Sequence, residues 1–468
     1  MKRIGVSIGR TWSDAVATAA APLSLLLFIF LSLLVGCGGH EARTLKMRTA
    51  LDEGHPQGAI GAINDELDVK TSKELPADLQ GDNALLVLDR ASIQQSLAQF
   101  PESSRDFESA DKAIDMLDLS RNASDSIAKY VFSDSAGRYK APPYEKLLIN
   151  TLNMINYLER GDLNGARVEA RRLNVMQRYV VDTLEQKDNP VIGLGGFLAG
   201  LVFEKSGQPD EALRYYDEAL AFNGFGSLRN PTRLLLQNTS YKSPRLAGLA
   251  GTVANDGPVK PLDQTGEGEI ILVIGYGRVP HKVANRIPIG LALTYFSSAI
   301  NPGDREAANK LAATGAATWI NYPSLAQGQG NYAIPTAMVD GRSVPVEEAV
   351  DVDHQVREEW HKIEGSVVAS AITRMIARVA VGEGVKTVAG RDSTVGFLAA
   401  IGSMVALTVA DTPDTRSWET LPARVAVTRM RVPAGKHTIR LDARGVSRTA
   451  QVNLEKGGWS LVSLMALR

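Results

Sequence analysis

Cys37 is the only cysteine in a chain of 468 residues, so the fold has no internal disulfide to rely on and no thiolate cluster to hold a metal. Stability must therefore come from buried apolar surface. The composition suits that demand, with 44% hydrophobic and 22% charged residues, the profile of a folded globular chain rather than a disordered one. The length exceeds one ordinary core and predicts two or three domains. A formal net charge of −1 gives no global attraction to nucleic acid, and no nucleic-acid partner is expected.

Cys37 closes the most apolar segment of the chain. Lys2, Arg3 and Arg10 precede a stretch from Ala15 to Gly39 without a charged residue, whose apolar core runs from Leu23 to Val35. A basic start, an apolar run and small residues at its end make a secretory signal, here residues 1–36. The cleavage motif Leu34-Val35-Gly36-Cys37 resembles the lipobox of bacterial lipoproteins. The resemblance implies that the Cys37 thiol takes the lipid and that Cys37 begins the mature chain. The competing reading is an uncleaved transmembrane anchor, for which the run is long enough, but it leaves the position of the lone cysteine to chance. Gly38 stands where an inner-membrane retention signal carries Asp. The resemblance thus implies lipid anchoring in the cell outer membrane, facing the periplasm, with more than one acyl chain to make the anchor stable.

Helical patterning dominates the first half of the mature chain. Gly54-x4-Ala59, Gly161-x4-Ala166 and Gly207-x4-Ala212 each fall between two helical apolar patterns. In the clearest unit, Ile192 to Asn223, Gly200 and Phe203 lie on a first helix, Gly207 in the turn, and Ala212, Tyr216 and Ala219 on a second. A turn glycine reverses the chain, and small residues let the helices cross closely, the logic of a helical solenoid. These six framework residues resemble the pattern of tetratricopeptide repeats, although Gly196 stands where a large residue is expected. A second unit shows through Tyr157, Leu158, Gly161 and Ala166; degenerate ones span Leu51–Leu67 and Ala84–Leu117. A non-repeating helical bundle is the alternative.

A linker rich in glycine and proline is expected over 238–268, then a mixed α/β domain over 269–422. Glu269 to Gly275 reads as a buried strand, Ile287–Phe296 and Ala333–Val350 as further strands, the last broken by the turn pair Asp340-Gly341. A helix is predicted over 351–381, with Val356, Trp360, Ile363, Val367, Ala371 and Met375 on one face. Residues 393–410 form a second uncharged helix, either buried beneath that face or placed in a membrane. Residues 423–468 read as four strands separated by good turns. Val432-Pro-Ala-Gly-Lys-His-Thr-Ile439 and the strands after it look like a PEGA-type β-sandwich. The expected class is multidomain α+β: a TPR-like α-helical solenoid at 37–237, the mixed region, and a C-terminal β-sandwich-like module. The plan resembles uncharacterised bacterial lipoproteins that join tetratricopeptide-like repeats to a β domain, most of all in the segment from Asp411 to Pro422.

Candidate chemistry is sparse. His354, Glu358 and His361 share one helix face, but the order is not that of a zinc helix, and a solvated polar face explains it. Gly275-Tyr276-Gly277-Arg278 follows a strand, yet lacks the rest of a phosphate-binding loop. Trp360, Trp418 and Trp459 are expected in core or interface. No catalytic residue, metal or cofactor is assigned. The expected role is a non-catalytic scaffold or adaptor that binds an envelope protein, with the membrane as its other partner through Cys37. An enzyme or enzyme activator acting on cell-wall material and a membrane-inserting subunit of an export assembly are the alternatives.

Overall fold

The computed structural model describes residues 39–79, 81–114, 139–251, 259–313, 319–330, 332–388 and 413–468, and within them the fold is mixed α and β. Helical hairpins come first: α1 (His40–Asp52) with α2 (Pro56–Glu66), α3 (Asp82–Ser96) with α4 (Phe100–Ile114), α5 (Pro143–Glu159) with α6 (Leu163–Arg178), and α7 (Val191–Lys205) with α8 (Pro209–Phe222). Three of the turns place a glycine at positive φ, Gly54 at +78°, Gly161 at +68° and Gly207 at +69°, where a Cβ would be strained. The α3–α4 turn uses Ala98 at φ +57° instead, and that substitution is why this hairpin has no Gly-x4-Ala signature.

The α7–α8 hairpin shows what its small residues are for. Gly193 faces Phe222, Gly196 faces the backbone of Tyr215 and Ala219, and Gly200 faces the Tyr216 ring; the indices rise on one helix as they fall on the other, so the pair is antiparallel. A Cβ on Gly196 would lie 2.9 Å from the Tyr215 carbonyl oxygen. The large residue of the tetratricopeptide pattern is missing there because the two backbones meet. Phe203 stacks on Tyr215 with centroids 5.3 Å apart and planes 2° apart. Ala212, Tyr216 and Ala219 are fully buried.

The region expected as a linker is partly helical, with α9 (Arg229–Leu236) leading into it, then α10 (Pro244–Gly251) and α11 (Leu262–Thr265). Next come β1 (Glu267–Arg278), β2 (Lys282–Pro288), α12 (Ile289–Tyr295), α13 (Pro302–Ala313), β3 (Trp319–Leu325), β4 (Thr336–Val339), β5 (Arg342–Val344), β6 (Glu347–Asp351) and α14 (Val352–Val388). The strands β7 (Pro422–Pro433), β8 (Gly435–Ala443), β9 (Val446–Leu454) and β10 (Trp459–Ala466) end the chain.

Strand β1 is the centre of the architecture. One sheet has the order β10-β1-β7-β6, a second β5-β4-β8-β9, and β2 pairs with β3 in a separate ribbon. β1 runs parallel to β10 and antiparallel to β7, with Ile271 opposite Leu461 on one side and Arg429 on the other. Its side chains alternate between two cores. Ile270, Leu272 and Ile274 join Ala337, Val339, Ile439 and Leu441 of the second sheet. Ile271 and Val273 join the helices through residues such as Leu147 and Phe197. Burial on both faces is why the segment reads as a continuous apolar run instead of an alternating one. A third core gathers Ile289, Leu293 and Ile320 around Val368, Ala371 and Ile372 of α14.

Several expectations are corrected. A boundary between 422 and 423 would cut through both large sheets, because β7 and β10 pair with β1 while β8 pairs with β4; strand pairing across 150 residues leaves no trace in local composition. The strand expected over 287–296 ends at Pro288 and gives way to α12. Proline has no N–H to continue the ladder, and the buried Ile289, Ala292 and Leu293 follow helical spacing. The long helix starts at Val352, since Asp351 closes β6, and reaches Val388. On it Val356, Trp360, Val367 and Ala371 are buried, while Ile363 and Met375 are half-buried. Residues 393–410 lie outside the described residues.

A paired substitution tests the hairpin packing. Gly200→Ala drives a methyl into the Tyr216 ring and should destabilise the protein by about 1–3 kcal/mol. Gly61→Ala, within α2 with nothing near its would-be Cβ, should stabilise by about 0.5–1 kcal/mol. Equal shifts of the two unfolding midpoints in urea would contradict the close crossing.

Candidate functional site

Two sealed clusters of charge join the helices to the sheets, and neither follows a local motif. In the first, Arg429 on β7 reaches two carboxylates at once. Its Nε and Nη2 donate to Glu269 at 2.5 and 2.8 Å, and its Nη2 and Nη1 donate to Glu204 at 2.5 and 2.8 Å. Lys205 adds a 2.5 Å bond to Glu269. The framework residue Tyr216 donates its hydroxyl to Glu204 at 2.7 Å and accepts from Arg429 at 2.9 Å. Burial opposes ionisation of both carboxyls, but the Arg429 and Lys205 charges outweigh it, lowering Glu269 and holding Glu204 well below the ordinary range. The cluster fixes α7 and α8 to β1 and β7.

The second cluster is built by residues 413–421. Thr415 to Leu421 are all buried. Trp418 packs edge-on to Phe107 with centroids 5.9 Å apart and donates its indole N–H to Ser92 and Thr420, each at 3.2 Å. The Trp418 backbone N–H goes to Glu145, whose other oxygen accepts from the Tyr139 hydroxyl at 2.7 Å. Glu419 accepts from Thr44 at 3.0 Å and from Arg48 at 2.7 Å. Asp89 on α3 accepts three bonds through one oxygen, from the N–H groups of Glu419 and Thr420 and the Thr420 hydroxyl, at 3.1, 3.0 and 2.9 Å. Its second oxygen is buried without a hydrogen-bond partner.

His40, the first residue of α1, is buried beside these groups. Nδ1 stands 3.6 Å from Asp82 and Nε2 3.8 Å from Glu419. Burial disfavours the imidazolium, yet the surrounding carboxylates of Asp82, Glu419 and Asp89 raise the pKa of His40 above its ordinary value. Burial, reinforced by the Glu419 charge, pushes Asp89 up to about 7. The arrangement gathers a raised carboxyl and a raised imidazole in one place, but it is closed. His40, Asp89 and Glu419 are each no more than 2% exposed. At its rim, Glu41, Leu45, Arg48, Ala284, Pro413 and Thr415 line a notch of about 230 Å³, smaller than the roughly 300–1,000 Å³ of ordinary ligand pockets.

The residues singled out from the sequence scatter around these clusters. Gly200, Phe203, Gly207, Ala212, Tyr216 and Ala219 sit together in the α7–α8 hairpin, and Tyr216 alone enters a charge cluster. His354, Glu358 and His361 are exposed on α14. No grouping of three or more metal-ligating side chains occurs among the described residues. Gly275 to Arg278 continue β1 instead of forming a loop, and Arg278 is ion-paired with Asp52. Trp360 and Trp418 are buried; Trp459 packs on the main core. Leu34, Val35, Gly36 and Cys37 lie outside the described residues. The sequence reading missed His40, Asp89, Glu419 and Arg429. A usable signal was present in Asp89-Arg90 at the end of the apolar run Ala84 to Leu88, since charge inside such a run is stable only when paired.

The fold and clusters define an α+β protein whose helical hairpins are locked to its sheets by sealed charges. A scan against protein-family models and a search of the curated proteins each find no match.

Two outcomes test the clusters. Arg429→Met strands two carboxylates in a buried site and should cost about 3–5 kcal/mol in denaturant unfolding. For Asp89, folding raises the carboxyl pKa from 3.8 to about 7, so the protonated form favours the native state. That contribution is complete below 3.8 and is lost as pH rises through about 7. Asp89→Asn keeps a neutral acceptor for the three donors and should flatten the fall in Tm over this interval. A wild-type minus variant difference that stays constant with pH would count against the buried carboxyl.

Proposed function

We propose that this chain is a lipid-anchored protein of the bacterial cell envelope that serves as a non-catalytic scaffold for a protein partner. The observation that carries the reading is the lipobox-like Leu34-Val35-Gly36-Cys37 holding the only cysteine, with the folded body starting almost at once, α1 opening at His40. Acyl chains on Cys37 would anchor that body to the outer membrane, facing the periplasm. No helix among the described residues is long and apolar enough to cross a membrane.

The sealing of the charge clusters supports a scaffold. Groups with strongly displaced ionisation are candidates for catalysis, but here Asp89, Glu204 and Glu269 are spent on holding helices to the strand β7, the segment before it and β1. We read the hairpins as tetratricopeptide-like units of a solenoid and the two large sheets as a sandwich with PEGA-like character. One side of the hairpins is already occupied, since α3 and α5 pack on β10 and α7 on β6. A protein partner would therefore engage the outer surface of the hairpins, where Val168 and Val175 of α6 are exposed.

Metabolic labelling with a fatty acid tests the anchor. The wild-type chain should carry the label; Cys37→Ala should carry none and should keep its signal segment, running larger on a denaturing gel. An unlabelled wild-type chain would end the lipoprotein reading.

A further inference from the structure

The unit formed by β2, β3 and α12 is chemically unlike the rest of the described surface, and acidic side chains come only in the neighbouring α13, as Asp304 and Glu306. Among the described residues, the two large aromatic side chains that are exposed, Tyr295 at 72% and Trp319 at 48%, both belong to it. Leu291, 48% exposed, lies one helical turn before Tyr295 on the same face of α12. Trp319 is opposite Pro288, the residue that leads into α12. From His281 to Gly303 there is no acidic residue, and none from Trp319 to Gly330, while Arg286 supplies positive charge and Lys282 turns inward over the Trp360 ring. Arg286 is fully on the surface. Apolar, aromatic and basic side chains without acidic ones are what the headgroup layer of an anionic bilayer attracts: tryptophan and tyrosine settle there, and lysine and arginine meet lipid phosphates.

The position of this unit relative to the anchor is set by a direct contact. Glu41, in the first turn of α1, accepts the backbone N–H of Ala284 at 2.7 Å, so β2 starts beside the N-terminus of the folded body. One residue, Gly38, separates Cys37 from Gly39, a reach of at most about 7 Å. From Ala284 the strand runs about 14 Å to Pro288, at the end that carries Trp319 and α12. Leu45, 56% exposed, lies on α1 near the same point. A bilayer holding acyl chains on Cys37 is thus brought within reach of the β2–β3 ribbon.

The geometry points to a membrane-docking face: Leu291, Tyr295 and Trp319 enter the headgroup layer of the bilayer that holds Cys37, with Arg286 on lipid phosphates. This rests on the lipid anchor proposed above and goes beyond it, because it gives the body a fixed orientation instead of a loose tether. It leaves α6, which packs on α5 and α7 and has no substantial contact with the β2–β3 ribbon, for a protein partner.

The lone cysteine makes the test direct, since acylated Cys37 does not react with thiol reagents. The full-length protein carrying Tyr295→Cys, labelled with an environment-sensitive fluorophore, is reconstituted in vesicles of phosphatidylethanolamine and phosphatidylglycerol with brominated acyl chains. The probe at 295 should shift to the blue and lose most of its emission to the bromines. A probe at Val175→Cys, on α6 between α5 and α7, should lose several-fold less. Equal, weak quenching at both positions overturns the docking face, as does a probe at 295 that is already blue-shifted without vesicles. The latter would mean that the chain's own residues or a second copy cover the patch. Failure of the anchor reads differently: the wild-type chain would then take up the thiol reagent at Cys37. If such an unacylated chain still floats with the vesicles and its probe at 295 is quenched, the docking face stands without the anchor; if it does not float, both fall.

Discussion

The burial of β1 on both faces is the constraint from which the remaining architecture follows. A strand with Ile270, Leu272 and Ile274 on one side and Ile271 and Val273 on the other is stable only when both sides are covered. Helices supply one cover and the second sheet the other. Because β1 also takes β7 and β10 as its lateral partners, the last strands of the chain must return to the middle of the fold. The molecule is therefore assembled from non-local contacts and does not divide where the sequence composition changes.

Apolar burial of this kind is non-directional, and it does not by itself decide how the hairpins sit on the sheet. The charge clusters do. Arg429 finds two carboxylates only if α7 crosses β1 and β7 at one place, and Asp89 finds its three donors only if Thr420 lies against α3. A shift of either element would leave ionised groups in a dry interior without partners, a cost of several kcal/mol. These clusters are where one arrangement is selected from many of similar buried area, and Tyr216 links that selection to the α7–α8 hairpin.

A body fixed in this way suits a protein attached at one end to a surface. Its N-terminal helix carries His40 into the interior three positions after the lipid-bearing cysteine of the proposed anchor, so little slack separates membrane and fold. Rigid coupling from α1 through Thr44, Arg48 and Glu419 to the central sheet would pass a membrane-imposed orientation to the whole body. Under the proposed anchoring, the outer hairpin surface would face the aqueous compartment at a constant angle, which would suit the proposed scaffold role.

Much of this was legible in the chain. The helical hairpins follow from glycine spacing and 3.6-residue periodicity, which are local properties, and so does the buried strand at 269–275. The turn at Asp340-Gly341 follows as well, because positive φ at both central residues (51° and 78°) favours those residue types; at Arg444-Gly445 (46° and 76°) the glycine alone is the signal. The α3–α4 hairpin was obscured by Ala98 in place of glycine, and α12 by β-branched residues around Pro288. What the sequence could not disclose is which distant segments meet. The pairing of β1 with β7 and β10, the insertion of Trp418 beneath α3 and α5, and the meeting of Arg429 with Glu204 and Glu269 join residues up to 326 positions apart. Local chemistry determined the elements and the expected site of attachment; only packing in three dimensions decided their partners, since pairing energy depends on proximity in space, which no residue encodes alone.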